Sequence, residues 1–160
     1  KKKKLTKKIG VSIYDPSELK KVFLKFTPDI IQAPLNVFDK RILLSKFLQN
    51  KKKKITLQVR SIFLQGLLLQ NIKKIKNLTL NRKLRSKLVE FDHICKKNKL
   101  TKLEQSINFI LNQQKVDIIT FGINNLKDLK KNLMILKKKK IKNIKDISTI
   151  DNKIIDPRKW

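Results

Sequence analysis

Residues Val116–Leu133, VDIITFGINNLKDLKKNL, contain the pattern that decides the fold. An apolar, β-branched run ends near Gly122, and from Asn125 onward apolar residues recur at helical spacing. The first pattern predicts a buried strand and the second an amphipathic helix. We therefore expect a strand over Val116–Phe121 and a helix over Asn125–Leu136, joined by a tight turn that contains glycine.

Three further strands are expected upstream, because three short β-branched segments are bounded there by turn residues. These segments are Lys8–Ser12, Asp29–Ala33 and Ile55–Arg60. All four predicted strands are nearly continuous apolar runs, which is typical of strands that are buried on both faces.

Two helices are predicted between these first strands. Asp15 is the expected N-cap of the first helix, with Pro16 at the first helical position and Glu18 completing a capping box. Its apolar stripe consists of Leu19, Val22, Phe23 and Phe26. The second helix is expected over FDKRILLSKFLQNK, residues 38–51, with Ile42, Leu43, Lys46 and Phe47 along its inner side.

The third strand is followed by an apolar loop or short helical turn, SIFLQGLLLQ, and then by two predicted helices. A long helix at roughly residues 78–98 is expected to end at Asn98. Thr101 and Glu104 have capping-box spacing at the start of the next one. The inward-facing residues are Leu84, Leu88, Phe91 and Cys95 in the long helix, and Leu103, Ile107, Ile110 and Leu111 in its successor.

The element order is βαβαβααβα, which predicts an α/β fold with parallel strands and right-handed crossovers. We expect residues 1–140 to form half of an eight-unit barrel and residues 141–160 to be an irregular tail with at most one helical turn. A small doubly wound sheet is the alternative, although no strand is followed by Gly-x-Gly-x-x-Gly. The chain begins with Lys rather than Met, and we therefore expect it to be part of a longer protein.

The composition is strongly basic, with a formal net charge of +29. It contains 36 Lys but only 5 Arg, and Lys, Asn and Ile are residues that AT-rich codons encode. Arginine, with its bidentate fork, is the residue that specific phosphate sites favour. We therefore interpret the lysines, including Lys51–Lys54 and Lys137–Lys140, as a solvated surface, and expect no specific nucleic-acid partner.

No apolar run reaches the roughly 18–20 residues that a transmembrane helix needs, and no membrane partner is expected. The single cysteine, Cys95, excludes an internal disulfide, which favours a reducing, cytoplasmic setting. Because Cys95 lies on an apolar stripe and has no second cysteine as a neighbour in the sequence, neither a nucleophile nor a metal site is expected.

Five segments, in order, resemble the C-terminal half of the aldo/keto reductases, which are oxidoreductases with a TIM-barrel fold that use NADPH. The segments are KKIGVSIYDPSELKK, DIIQAPLNVFDKRIL, VRSIFLQGLLL, LTKLEQSINFIL and VDIITFGINNLKDLKKNL. The resemblance extends from Lys7 to about Leu133 and assigns the four predicted strands to barrel strands five to eight.

The resemblance implies a nicotinamide end for a cofactor site. Ser12 matches the serine at the end of strand five, and Gln32 matches a glutamine that also bonds the carboxamide. Ile13 stands where the family usually has Asn. Arg60 occupies a position that is often an aromatic residue stacked on the nicotinamide, and a guanidinium plane can stack in a similar way.

It also implies a loop over the pyrophosphate. Ser61 and the segment Gln65, Gly66 and Leu67 match that loop of the family. In a TIM barrel, ligands bind at the C-terminal ends of the strands, which is where these residues fall.

The adenosine end is implied by the opening stretch. Gly122 and Asn124 match the turn near the adenosine phosphate, and Asn132 matches the asparagine that meets adenine. Asp128 occupies a position that is often Arg or Gln, and an acid there disfavours the 2′-phosphate. NADP is the expected cofactor, with NAD as the alternative.

The family's catalytic Asp, Tyr, Lys and His all come from the first half of the barrel. Neither Tyr14 nor His93 has the family context, so no catalytic residue is expected in this chain, which alone would be inactive. The complete protein is expected to reduce a small carbonyl substrate with a nicotinamide dinucleotide.

Two other functions stay open from the sequence: a basic nucleic-acid-binding module and a noncatalytic subunit with a reductase fold. The position of the lysines separates the first of these from a reductase. Lysines spread over outer helices favour the reductase, whereas lysines that converge on one face with aromatic residues favour nucleic acid.

Overall fold

The computed structural model describes residues 5–49, 55–72, 82–138 and 145–159. At its centre is a parallel sheet of four strands in the order β1-β2-β3-β4. The strands are β1 Gly10–Ser12, β2 Ile30–Pro34, β3 Thr56–Arg60 and β4 Ile118–Ile119. Their register places Ser12 beside Gln32 and Pro34 beside Arg60. The α/β fold with a parallel sheet, predicted from the alternation of elements, is confirmed.

Five α-helices accompany the sheet in the described part of the chain. They are α1 Glu18–Lys25, α2 Arg82–Lys97, α3 Lys102–Leu111, α4 Leu126–Lys137 and the short α5 Asn152–Ile155. Short 3₁₀ segments occur at Arg41–Leu44, Lys46–Gln49, Leu67–Leu69 and Pro157–Lys159. The expected start of the long helix, residues 78–81, lies outside the described residues. None of the described helices is long and apolar enough to cross a bilayer.

Burial alternates along the central strands. In β3, Leu57 and Val59 are buried in the core, whereas Thr56, Gln58 and Arg60 are only half-buried. The prediction that the strands are buried on both faces is therefore wrong. In the part of the chain that the structure describes, only one face of the sheet has such a fully buried row, and the opposite face keeps polar side chains.

The predicted helix over residues 38–51 is wrong. Residues 41–49 form two 3₁₀ segments that are separated by Ser45 in an extended conformation, and residues 50–51 lie outside the described part. The physical reason lies just upstream. Asn36 Oδ1 accepts from the N–H groups of Phe38 and Asp39, and Asp39 Oδ1 accepts from the N–H of Arg41. Such local side-chain acceptors compete with helical hydrogen bonds.

The side chains of this segment are placed partly as expected. Ile42 and Leu43 are buried, and the Phe47 ring lies 4.8 Å from the Phe23 ring, measured between centroids. Lys46 is exposed rather than inward-facing, because the 3₁₀ turn has a different periodicity from the predicted α-helix.

The start of α1 differs from the prediction, since its N-cap is Ser17 rather than Asp15 and the helix begins at Glu18 rather than at Pro16. The capping contacts of Glu18 and Thr101 agree with the sequence. Glu18 accepts from the backbone N–H groups of Tyr14 and Asp15 before α1. Thr101 and Glu104 form the expected capping box of α3. These caps depend on residues within one helical turn, which is why the local pattern predicts them.

The C-terminal end of α2 is a Schellman motif, in which Asn98 is the cap as expected. The Leu100 N–H donates to the Cys95 carbonyl at 2.9 Å, and the Lys99 N–H donates to the Lys96 carbonyl at 3.0 Å. The motif requires a left-handed residue. That residue is Lys99, with φ of 53°.

The segment 145–159 packs against the rest of the molecule. The Thr149 N–H donates to the Phe38 carbonyl at 2.8 Å, and Lys40 forms an ion pair with Asp146 at 2.7 Å. Ile147 and Ile154 are buried in the core. The segment contains the short helix α5 and a 3₁₀ turn at Pro157–Lys159. Its contacts bring it onto the loop that follows β2.

Candidate functional site

A cleft of about 790 Å³ lies at the C-terminal ends of β3 and β4. Its volume falls within the roughly 300–1,000 Å³ that is typical of small-molecule sites. The end of a parallel sheet where the strands terminate is where α/β proteins bind ligands. Eight of the residues expected at a cofactor site line this cleft: Arg60, Ser61, Gln65, Gly66, Gly122, Asn124, Asp128 and Asn132.

The loop after β3 has an unusual backbone. Ser61, Leu64, Gln65 and Gly66 all have positive φ, at 56°, 48°, 53° and 84°. Side-chain-bearing residues rarely adopt this left-handed conformation, and where they do the strain is often found at ligand sites. Glycine at position 66 removes the steric cost at the residue with the largest φ.

Two consecutive amides of this loop face no protein acceptor. Within the described ranges, the N–H groups of Gln65 and Gly66 donate to no other residue, whereas the neighbouring Leu64 N–H donates to the Ser61 carbonyl at 2.9 Å. Successive backbone N–H groups that have no protein acceptor are available to bind an anion. The loop can therefore hold a phosphate oxygen.

Arg60 stands at the junction between β3 and this loop. Its guanidinium carbon lies 4.3 Å from the centroid of the Tyr14 ring, and its Nη2 donates to the Ile13 carbonyl at 3.2 Å. No carboxylate among the described residues pairs with Arg60. It therefore adds an uncompensated positive charge to the wall of the cleft.

Asn132 is the buried polar side chain of the site. It is only 4% exposed and lines the cleft from α4. Its side-chain amide bonds to none of the residues that the structure describes, although buried polar groups nearly always have a partner. An unsatisfied amide costs roughly 1–3 kcal/mol, and a ligand group with donors and acceptors in the cleft would satisfy it.

Asp128 and Asn125 occupy the first turn of α4. Asn125 is the N-cap, and its Oδ1 accepts from the Asp128 N–H at 2.9 Å, while its Nδ2 donates to Asp128 Oδ2 at 3.0 Å. This turn is therefore closed on itself. It places a carboxylate on the cleft wall, next to Gly122 and Asn124 in the lining.

Three of the expected residues are not in the lining of the cleft. Ser12 and Gln32 lie side by side on β1 and β2, where the Ser12 hydroxyl donates to Gln32 Oε1 at 2.9 Å. Elsewhere in the described chain, nothing accepts from the Gln32 amide nitrogen. Leu67 is buried beneath the loop.

Lys131 is a cleft residue that the sequence analysis missed. It lies one turn beyond Asp128 on α4, lines the cleft and has no ion-pair partner in the described part of the chain. The helical spacing of three residues from Asp128 was the available signal. Phe63 and Phe121, whose ring centroids are 6.1 Å apart, form an apolar part of the lining that was also missed.

Among the described residues, Tyr14, His93 and Cys95 do not line the cleft. The Tyr14 ring is in contact with two guanidinium groups, those of Arg60 and Arg158, and His93 is exposed on α2. Burial raises the pKa of the Cys95 thiol to about 11. No set of three His, Cys, Asp or Glu side chains suited to a metal ion occurs among the described residues.

The sequence matches the model of the Aldo/keto reductase family over residues 1–155. None of the curated proteins matches it. The fold is similar to the aldo-keto reductase AKR11C1 from Bacillus halodurans in its apo form, with a TM-score of 0.66 and 16% identity, covering 82% of this chain and 46% of that one. The holo form gives the same TM-score and identity over 45% of its chain.

A second similar structure is the thermostable aldo-keto reductase Tm1743 in complex with the inhibitor epalrestat. Its TM-score is 0.57 at 18% identity, with 96% of this chain and 48% of that chain covered. The chain thus spans about half the length of these solved structures. Since the family match covers almost all of its residues, the chain belongs to the aldo/keto reductase family of oxidoreductases.

Proposed function

We propose that residues 1–140 are the C-terminal half of a (β/α)₈ barrel, strands five to eight, and that their cleft binds the nicotinamide dinucleotide of a carbonyl reductase. One observation carries this proposal. Eight of the residues that the family resemblance assigns to a cofactor site, from two βα units, line the same cleft. The buried amide of Asn132 and the free amides of the Gln65–Gly66 loop supply the polar groups that such a ligand needs.

The proposed cofactor runs along the ends of all four described strands. Ser12 and Gln32 would meet the carboxamide, the loop of residues 61–67 the pyrophosphate, and α4 the adenosine. The family's cofactor supplies a hydride to the carbonyl carbon. The residues of this chain orient and hold the cofactor, while the proton donor belongs to the first half of the barrel. We therefore propose that this chain alone is inactive.

NADP is the proposed cofactor, with NAD as the alternative. Lys131 favours the additional 2′-phosphate, whereas Asp128 repels it from one helical turn away. The amide of Asn125 neutralises part of the Asp128 charge by its hydrogen bond at 3.0 Å. A cytoplasmic location is part of the same proposal, since Cys95 is a free thiol.

A basic nucleic-acid-binding module is less well supported. The described lysines are distributed over α1, α2, α3, α4 and the segments between them. Seven of the described lysines are paired with carboxylates: Lys40, Lys83, Lys87, Lys96, Lys102, Lys138 and Lys145. A dedicated nucleic-acid surface instead concentrates unpaired cations and aromatic rings on one face. No observation separately favours a noncatalytic reductase-fold subunit.

The proposal is tested by titrating the chain with NADPH and following the fluorescence of the cofactor. Saturable binding is expected, and it should weaken about tenfold in Asn132→Leu, which removes the buried amide. Lys127→Met is the control, because Lys127 is exposed on α4 outside the lining of the cleft. Absence of saturation at millimolar NADPH would overturn the proposal.

A further inference from the structure

Arg60 is held rigidly at the nicotinamide end of the proposed site. Its Nη1 donates to the Ser61 hydroxyl and its Nη2 to the Ile13 carbonyl, both at 3.2 Å. The Tyr14 ring lies against the guanidinium at 4.3 Å. These three contacts come from β3 and from the segment after β1, so they fix both the position and the plane of the group.

The charge of Arg60 is available to a ligand. Tyr14 covers part of the planar guanidinium, and the Nε–H donates to no residue in the described ranges. The second guanidinium on the Tyr14 ring, that of Arg158, differs because its Nη2 pairs with Asp156 at 2.7 Å. Arg60 has no such carboxylate and lines the cleft.

We propose that Arg60 makes this site discriminate between the two redox states of its cofactor and bind the reduced form more tightly. The inference rests on the proposed function, since it takes the nicotinamide to lie at the ends of β1–β3. The oxidised nicotinamide ring carries a positive charge, whereas the dihydronicotinamide ring is neutral and electron-rich. A guanidinium therefore attracts the face of the reduced ring and repels the oxidised ring.

The size of the effect can be estimated for a nicotinamide ring in contact with the half-exposed guanidinium. Two like charges about 4–5 Å apart in a half-exposed site repel each other enough to weaken the oxidised form by roughly tenfold. The same charge would affect three steps of turnover. Arg60 favours loading of the reduced cofactor and release of the oxidised product, although it makes the bound reduced cofactor a weaker hydride donor.

A purely structural role for Arg60 makes a different prediction. If the guanidinium only braces the Tyr14 loop, its loss weakens both redox states equally and lowers the stability of the fold. If its charge acts on the nicotinamide, its loss changes the ratio of the two dissociation constants. The ratio is therefore the informative quantity.

The experiment is calorimetric titration of the full chain with NADPH and with NADP⁺, for the wild type and for Arg60→Met, Arg60→Lys and Arg85→Met. The wild type should bind NADPH about tenfold more tightly than NADP⁺. In Arg60→Met, the dissociation constants of the two nucleotides should differ by no more than about twofold. Arg60→Lys, which retains the charge, should keep most of the preference. Arg85 is an exposed arginine of α2, and Arg85→Met should leave the preference for NADPH unchanged.

The failure of this inference is distinct from the failure of the proposed function. An equal ratio in the wild type and in Arg60→Met overturns the inference, whereas the absence of binding by either nucleotide overturns the cofactor site itself. If Arg60→Met does not fold, the wild type is titrated at two salt concentrations instead. The ratio of its dissociation constants for NADP⁺ and NADPH should fall as NaCl rises from about 50 to about 500 mM. A preference that is independent of salt contradicts a role for the charge.

Discussion

The Asn125 side chain makes two hydrogen bonds to Asp128 at the first turn of α4. Its Oδ1 accepts from the Asp128 N–H at 2.9 Å, and its Nδ2 donates to the Asp128 carboxylate at 3.0 Å. This pair caps the helix and at the same time holds a negative charge at the wall of the cleft. A helix N-terminus without such a cap offers its N–H groups and positive dipole end to phosphate. Here Asn125 caps the turn, and Asp128 and Lys131 place opposite charges on the wall of the cleft.

Replacement of Asp128 by Asn should favour a 2′-phosphate. Adenosine 2′,5′-bisphosphate and 5′-AMP test the adenosine end alone, and we expect Asp128→Asn to improve the affinity ratio for the bisphosphate by roughly three- to tenfold. Lys131→Met should lower the ratio by a similar factor. Glu90→Gln, the same change of charge on α2, is the control, and an equal shift in that variant would contradict a local effect.

Asn132→Leu should weaken NADPH binding without lowering the free energy of unfolding. The buried amide has no partner in the described chain, so an apolar side chain of similar size should leave the free energy of unfolding unchanged or raise it by up to about 1 kcal/mol. NADPH binding should nevertheless weaken. Urea denaturation and cofactor titration of the same preparation measure the two quantities. A loss of more than about 2 kcal/mol of stability would show instead that the amide has a structural partner.

Lys99→Gly should stabilise the protein. Lys99 is the left-handed residue of the Schellman motif after α2, where a side chain raises the energy and glycine does not. We expect a gain of roughly 0.5–1 kcal/mol in urea denaturation. Lys97→Gly, placed within the last turn of α2, should destabilise by a similar amount. If the two substitutions changed the free energy of unfolding equally, the left-handed conformation of Lys99 would be contradicted.

Cys95 should be unreactive in the native protein. Burial raises the pKa of its thiol to about 11 from an ordinary value of 9.0, so the folded chain disfavours the thiolate. Its contribution to stability is therefore present below pH 9 and is lost as the pH rises from 9 toward 11. A disulfide reagent at pH 8 should label Cys95 only in urea, and the pH dependence between 9 and 11 should be reduced in Cys95→Ala. Rapid labelling of the native protein would contradict this placement.

The sequence predicted those features that depend on neighbours along the chain. The capping contacts of Glu18 and Thr101 and the alternation of strands and helices are local patterns, and each is present. The helix expected from residue 38 failed because two side chains upstream of Arg41, those of Asn36 and Asp39, capture backbone N–H groups that a helix would use. Periodicity does not report this competition.

The site was predicted less completely for a related reason. Positions such as Gly66 and Asn132 follow from motif order, but the environment of Arg60 depends on Tyr14, which is 46 positions away and approaches only through the pairing of strands. The unpaired state of Lys131 likewise depends on which carboxylates reach α4. These tertiary contacts bring together residues that are far apart in the sequence, and no local pattern contains them.

Hydrogen exchange of the chain with and without NADPH tests the central claim most directly. The account predicts slower exchange at the free amides of Gln65 and Gly66 and over residues 122–132, with little change in α1 or in α2. The amides of Gln65 and Gly66 are the sharpest indicators, since nothing in the described fold protects them. Unchanged exchange at both sites under saturating NADPH, or protection confined to the lysine-bearing faces of α1 and α2, would contradict a cofactor site in this cleft.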